Sequence, residues 1–191
     1  MSSLEQINIK KDDIVIDCGA NVGDVTNYFV EKGAIVYAFE PNPYAFRVLE
    51  YRFRGNERVI CIKKAVSDAS GTGKLFFHES ASLDHVKYST GSSMVGDKNN
   101  VNEETFEEVE IINLSEFISD LDKPVKVLKI DIEGEEHKIL NQMIDNGTIL
   151  SIPFVFVETH EKKVPSCRPG MAEVRRKIEA LDITNINLDW I

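Results

Sequence analysis

The stretch IVIDCGANVGDVTNYFVEKGAIVYAFE, residues 14–40, decides the architecture. It opens on a short apolar run, 14–19, rich in β-branched residues, which reads as a buried strand. Gly19 and Gly23 mark a turn, and 22–33 carries apolar residues at helical spacing up to Gly33. A second apolar run, 34–40, ends on Glu40. Strand, glycine turn, helix and strand make one βαβ unit, with the turn at the carboxyl end of the first of two parallel strands.

The alternation continues on the C-terminal side. Residues 43–55 form a helix with Pro43 in its first turn and Gly55 just past its end, and 58–66 (RVICIKKAV) a third strand. VKVLKID (125–131) and PFVFVETH (153–160) are two more strands, separated by a helix over 135–147; a helix over 170–182 and a strand, ITNINLDWI (183–191), close the chain. Continuous Val/Ile/Phe runs between helices predict a doubly wound, mostly parallel, Rossmann-like α/β sheet. The pattern breaks between 67 and 124. There KLFFHE (74–79) and EEVEIINL (107–114) alternate as a β-hairpin, and the polar stretch 80–105 has a length that reads as either a disordered loop or a lid over a site. No repeat or linker interrupts the 191 residues, which predicts a single domain carrying this insertion.

Bulk chemistry narrows the function. A net charge of −10 argues against nucleic acid, whose phosphates are met by excess Lys and Arg, and against an anionic membrane surface. No run of 18 apolar residues occurs, and MSSLEQINIKKDD has no secretory pattern. Cys18, Cys61 and Cys167 lack Cys-x-x-Cys spacing and read as reduced, buried residues, so the expected location is cytoplasmic.

In sheets of this kind ligands bind beyond the carboxyl ends of the strands. A dinucleotide loop needs Gly-x-Gly-x-x-Gly, and this chain has Asn21 and Asp24 where glycines would stand, which disfavours an NAD-linked oxidoreductase. The looser set Asp17, Gly19, Gly23 and Glu40 is intact. An acid at the end of the second strand is placed to accept hydrogen bonds from ribose hydroxyls, and Asp17 suits an ammonium group better than a phosphate. These features fit S-adenosylmethionine. The bland alternative is a tight turn and a solvated glutamate.

VIDCGANVGDVT, AFEPNPYAF, KKAVSDASG, GSSM and LKIDIEGEE, followed by FVETHE, together resemble the FkbM family of S-adenosylmethionine-dependent methyltransferases over about residues 12–160. The resemblance implies O-methylation of a hydroxyl on a small molecule or sugar. It implies that Asp17, Gly19, Asn21, Gly23, Glu40 and Pro41 hold the donor, that Ala65, Val66 and Ser67 flank the adenine, and that Ser92 and Ser93 contribute from the lid. Lys129, Asp131 and Glu133 match the strand-four motif. Class I methyltransferases usually end in an antiparallel pair of strands, whereas here only 183–191 follows the last helix. That open edge leaves room for a neighbouring copy in a homodimer. A non-catalytic nucleoside-binding module remains the second alternative.

Strand residues alternate faces, so Lys129, Asp131 and Glu133 project to one side, with Asp131 as the expected partner of Lys129. Phe154, Phe156, Glu158 and His160 share a face of the next strand. Asp131, Glu133 and His160 are therefore the candidate catalytic residues, Asp131 also lying near the donor, with His160 either a general base or a solvated strand-end residue. Glu135 and Glu136 read as first-turn helix charges, and His78, His85 and His137 as surface residues. A divalent metal on Asp131, Glu133 and Glu158 is the lesser reading, and no metal is expected.

Overall fold

The computed structural model describes residues 4–190; residues 1–3 and 191 lie outside the described residues. β1 (Ile14–Cys18), α1 (Asp24–Glu31), β2 (Ile35–Phe39), α2 (Pro43–Arg52) and β3 (Val59–Ile62) follow one another as the βαβαβ pattern requires. The chain then leaves the main sheet through β4 (Ala65–Ser67), β5 (Gly71–His78) and β6 (Val101–Asn113). It returns by α3 (Leu114–Ser119) to β7 (Val125–Ile130), and continues through α4 (Glu136–Asp145), β8 (Phe154–Val157), α5 (Arg168–Ala180) and β9 (Ile186–Asn187).

The six-stranded sheet has the order β3-β2-β1-β7-β8-β9, and every pairing in it is parallel. The order reverses between β1 and β7, which opens a crevice beyond their carboxyl ends. Both faces are covered, which explains the continuous apolar strands. On one face Ile16, Leu128 and Ile130 pack with Ile139 and Met143 of α4 and Val174 of α5. On the other, Val15, Val36 and Val127 pack with Phe29 of α1, Leu4 and Trp190. Each such side chain contributes about 1.5–3 kcal/mol when fully buried.

The insertion forms its own three-stranded sheet, β4-β6-β5, with β5 and β6 antiparallel as the hairpin predicts. The stretch between them is pinned where Phe76 and Ser93 exchange backbone hydrogen bonds of 2.8 and 3.0 Å.

Three elements depart from the sequence reading. The predicted strand 58–66 is two strands in two sheets: β3 pairs with β2, and β4 pairs with β6. Lys63 and Lys64 make the break, reaching Glu107 (3.6 Å) and Glu110 (2.8 Å) on β6. Second, the unpredicted α3 begins at Asn113, whose side-chain oxygen accepts from the N–H groups of Ser115 and Glu116. Third, the strand predicted over 183–191 shrinks to β9, two residues parallel to β8. Beyond it Trp190 turns onto the cluster of Leu4, Phe29 and Val127, where burying an indole outweighs extending an edge. Among the described residues no helix is long and apolar enough to cross a membrane.

Candidate active site

The cleft forms where β1 ends. Gly19 has φ +76°, and a Cβ there would overlap the carbonyl oxygen of Asp131, so only glycine lets the β1 and β7 ends approach this closely. Gly23, φ +90°, serves a different purpose: a Cβ would meet Phe53 at 2.5 Å and Leu49 at 2.7 Å, so it seats α1 against α2 and does not line the cleft. Between them Asn21 adopts the left-handed region (φ +49°) and donates from its side chain to Ser89 Oγ at 2.8 Å.

Glu40 lies at the end of β2, only 6% exposed, on the cleft wall. Its Oε2 accepts the Asn21 N–H and its Oε1 the Asn42 N–H, both at 2.8 Å. Burial pushes this carboxyl up to about 7 despite those two donors. Asn42 caps α2 through Tyr44 N and Ala45 N and donates to Ser92 Oγ at 3.0 Å. The cleft and its open mouth together span about 650 Å³ not filled by protein atoms, open solvent included. Phe39, Pro41, Ala65, Val66, Leu75 and Met94 give it an apolar wall. Asp131, Glu133 and Glu135 give it an acidic end.

Asp17 is elsewhere. Fully buried, it holds Lys129 Nζ at 3.1 Å and accepts Thr26 Oγ1 at 2.7 Å, so its carboxylate is spent inside the sheet and does not face the cleft. This corrects its assignment to the donor's ammonium group; Asp131, the expected partner of Lys129, does pair with it, at 3.6 Å, but Asp17 is the nearer of the two. Lys129 also donates to the carbonyls of Cys18 and Gly19, fastening β7 to the glycine turn. Burial pulls the Lys129 ammonium down, but Asp17 and Asp131 outweigh it and the net shift is upward.

Ser67 and Ser93 also turn away from the cleft. Ser67 Oγ donates to Glu135 Oε2 at 3.0 Å. Ser93 Oγ donates to the Glu133 carbonyl at 2.6 Å, so of the pair Ser92 faces the cleft, where Ser89 also lies.

The four groups projected from the ends of β7 and β8 do converge. His160, 1% exposed, places Nε2 at 3.3 Å from Glu133, 3.4 Å from Glu158 and 3.7 Å from Asp131. Its Nδ1 lies 2.8 Å from Glu136 Oε1, which also accepts the N–H groups of Ile132 (3.3 Å) and Gly134 (3.0 Å). Glu136 is therefore no solvated helix charge; it organises the whole turn 131–136. Glu133 reaches the cluster through a left-handed backbone (φ +62°), a strained state in a non-glycine residue. Burial pulls the His160 ring down, yet the bond to Glu136 and the charges of Glu136, Glu133 and Asp131 reverse this and raise its pKa. Burial and the charge of Asp131 raise the Glu158 carboxyl. A histidine that does not line the cleft is poorly placed to take a proton from a ligand held there. The carboxylates that face the cleft are better placed for that work.

Glu136, Asn42, Ser89 and Lys98 were missed by the sequence reading. Asn42 had a signal, an Asn directly before a helix-starting Pro. Lys98 did not: buried in the lid, it sits 2.7 Å from Glu133 Oε2 and donates to the Gly91 carbonyl at 2.6 Å.

Residues 17–182 match the Methyltransferase FkbM domain. The chain belongs to the FkbM methyltransferase family. The match runs from the end of β1 through α5, so it contains every residue of the cleft and of the His160 cluster. One similar protein is the probable ribosomal RNA small subunit methyltransferase A of Methanococcoides burtonii. It is 33% identical over 58 residues, 30% of this chain and 22% of that protein. The similar segment thus spans about a fifth of that relative. Both findings are of methyltransferases, and the FkbM match fits the parallel sheet with its switch at β1 and β7.

Proposed function

We propose that this FkbM chain binds S-adenosylmethionine in the β1/β7 cleft and methylates a hydroxyl oxygen of a small molecule or sugar. One observation carries the reading: Glu40 at the cleft wall, each carboxylate oxygen held by one backbone N–H. The remaining lone pairs suit the two hydroxyls of a ribose. The wall of Phe39, Val66, Leu75 and Met94 suits a base. No phosphate cradle competes with this reading, because the glycine turn ends in Asp24 and Glu40 faces the same space.

The donor supplies a methyl carbon bound to a positively charged sulfur. Asp131 and Glu133 give the cleft negative charge that favours such a cation and accepts a hydrogen bond from the incoming hydroxyl. One of these carboxylates takes the acceptor's proton. Holding the hydroxyl in line with the carbon supplies most of the acceleration, and a positioned base adds about 10²–10⁴-fold. The Methanococcoides relative carries ribosomal RNA in its name, but a net charge of −10 favours a small acceptor here.

Calorimetry with S-adenosylhomocysteine tests the proposal. Wild type binds it and does not bind NAD, and Glu40→Ala weakens binding about 100-fold, a loss of roughly two charge-assisted hydrogen bonds. Equal affinity of wild type and Glu40→Ala would reject the ribose assignment.

A further inference from the structure

The His160 cluster contains more than methyl transfer requires. Three carboxylates, Asp131, Glu133 and Glu158, converge on a ring nitrogen that has no hydrogen-bond partner, although the ring is almost wholly buried. A polar atom left so within a fold is costly unless something binds it. We propose that Asp131, Glu133 and His160 form a divalent cation site at the acidic end of the cleft, with Glu158 beside it as an outer-shell carboxylate.

The tautomer supports the assignment. Nδ1 faces Glu136 Oε1 at 2.8 Å, and a carboxylate only accepts, so Nδ1 carries a proton. In the neutral ring the lone pair is then on Nε2, aimed at the three acids. A histidine whose far nitrogen donates to a buried carboxylate is the usual arrangement of a metal-bound imidazole. Separations fit as well. An ion with bonds of about 2.1 Å sets its donors ~3.0 Å apart at a right angle and ~4.2 Å apart across it. The distances from Nε2 to the three carboxylates, 3.3–3.7 Å, fall inside that window.

Charge points the same way. Asp131, Glu133, Glu136 and Glu158 surround the ring, while Lys129 is balanced by Asp17, and Lys98 and the more distant Lys163 offset the rest in part. One nitrogen among several carboxylate oxygens suits Mn²⁺ better than Ca²⁺, which takes oxygen, or structural Zn²⁺, which takes more nitrogen and sulfur. Asp131 and Glu133 also line the cleft, so an ion held by them keeps open positions on that side. That such an ion meets the acceptor oxygen rests on the methyl-transfer reading; that it binds does not. Lys98 competes for it: its Nζ already occupies Glu133 Oε2 at 2.7 Å.

The test is a titration of the chelator-stripped full chain with Mn²⁺ alone, followed by electron paramagnetic resonance. Wild type is expected to bind one ion, with ¹⁴N coupling from a directly bound ring. Glu158→Gln, at a partly exposed position, weakens binding about 10–100-fold, the scale for losing an outer-shell carboxylate. His160→Gln abolishes the ¹⁴N coupling, and Lys98→Met tightens binding. Thermal unfolding identifies any variant that fails to fold, and Glu158→Gln and Lys98→Met then carry the test. Wild type that binds no tighter than about 1 mM, or shows no ¹⁴N coupling, overturns the site. So does binding left unchanged by both Glu158→Gln and Lys98→Met. S-adenosylhomocysteine titrated into the stripped protein separates the two proposals. Binding of it without Mn²⁺ binding overturns only the cation site; Mn²⁺ binding without it overturns only the donor reading.

Discussion

Glu40 carries an electrostatic conflict that its neighbours only partly relieve. Its carboxyl in the folded protein is raised from 4.5 to about 7, so folding takes up a proton between those values. The stability linked to Glu40 is thus fully present below about pH 4.5 and lost as pH rises through about 7. Urea unfolding should show wild type losing stability relative to Glu40→Gln across that window; parallel curves would mean that Glu40 is already ionised. Donor binding has the opposite sign. Ribose hydroxyls bond best to the ionised carboxylate, so affinity for S-adenosylhomocysteine should rise through the same window. Lys129 makes the companion case inside the sheet: Lys129→Met leaves Asp17 charged and unpaired, and should cost about 3–5 kcal/mol in urea unfolding. A loss under 1 kcal/mol would show that Asp17 finds another partner. From the sequence, Asp17 suggested a ligand contact, because nothing local to it reveals a lysine arriving from β7. That Glu40 lines the cleft was legible, because an acid at the carboxyl end of β2 lies beside the crevice.

The lid is an element held by single contacts from distant segments. Asn21 reaches Ser89, Asn42 reaches Ser92, Ser93 reaches the Glu133 carbonyl, and Lys98 reaches Glu133. Asn42→Ala loses both the α2 cap and the lid contact, and should cost about 1–2 kcal/mol. Asn42→Asp keeps an oxygen for the cap and loses only the donor to Ser92. It should unfold nearly as wild type does while amide exchange in residues 89–93 speeds up. Exchange unchanged in that variant would mean that Ser92 does not anchor the lid. The sequence showed where the lid lies and that a hairpin carries it, since alternation is a local pattern. It could not show the split of 58–66, because Val59–Ile62 and Ala65–Ser67 are equally apolar and only their pairing with different sheets separates them. Nor could it show that Glu136 is buried, because a first-turn acid reads alike whether it meets water or a histidine.

At the scale of the molecule, one topological fact organises the rest. The strand order reverses between β1 and β7, so loops from the first and second halves of the chain meet over one crevice. Continuous apolar strands separated by helices were enough to anticipate that reversal. They were not enough to anticipate which polar groups turn into the crevice and which are consumed in fastening its walls. Asp17, Gly23, Ser67 and Ser93 fasten; Glu40, Asn21, Ser92, Asp131 and Glu133 face inward. The most direct measurement of the central claim is a crystal structure of the full chain with S-adenosylhomocysteine. The account requires both ribose hydroxyls within hydrogen-bonding distance of Glu40 and the sulfur toward Asp131. A ligand bound away from the β1/β7 cleft, or one whose ribose leaves Glu40 uncontacted, would contradict it.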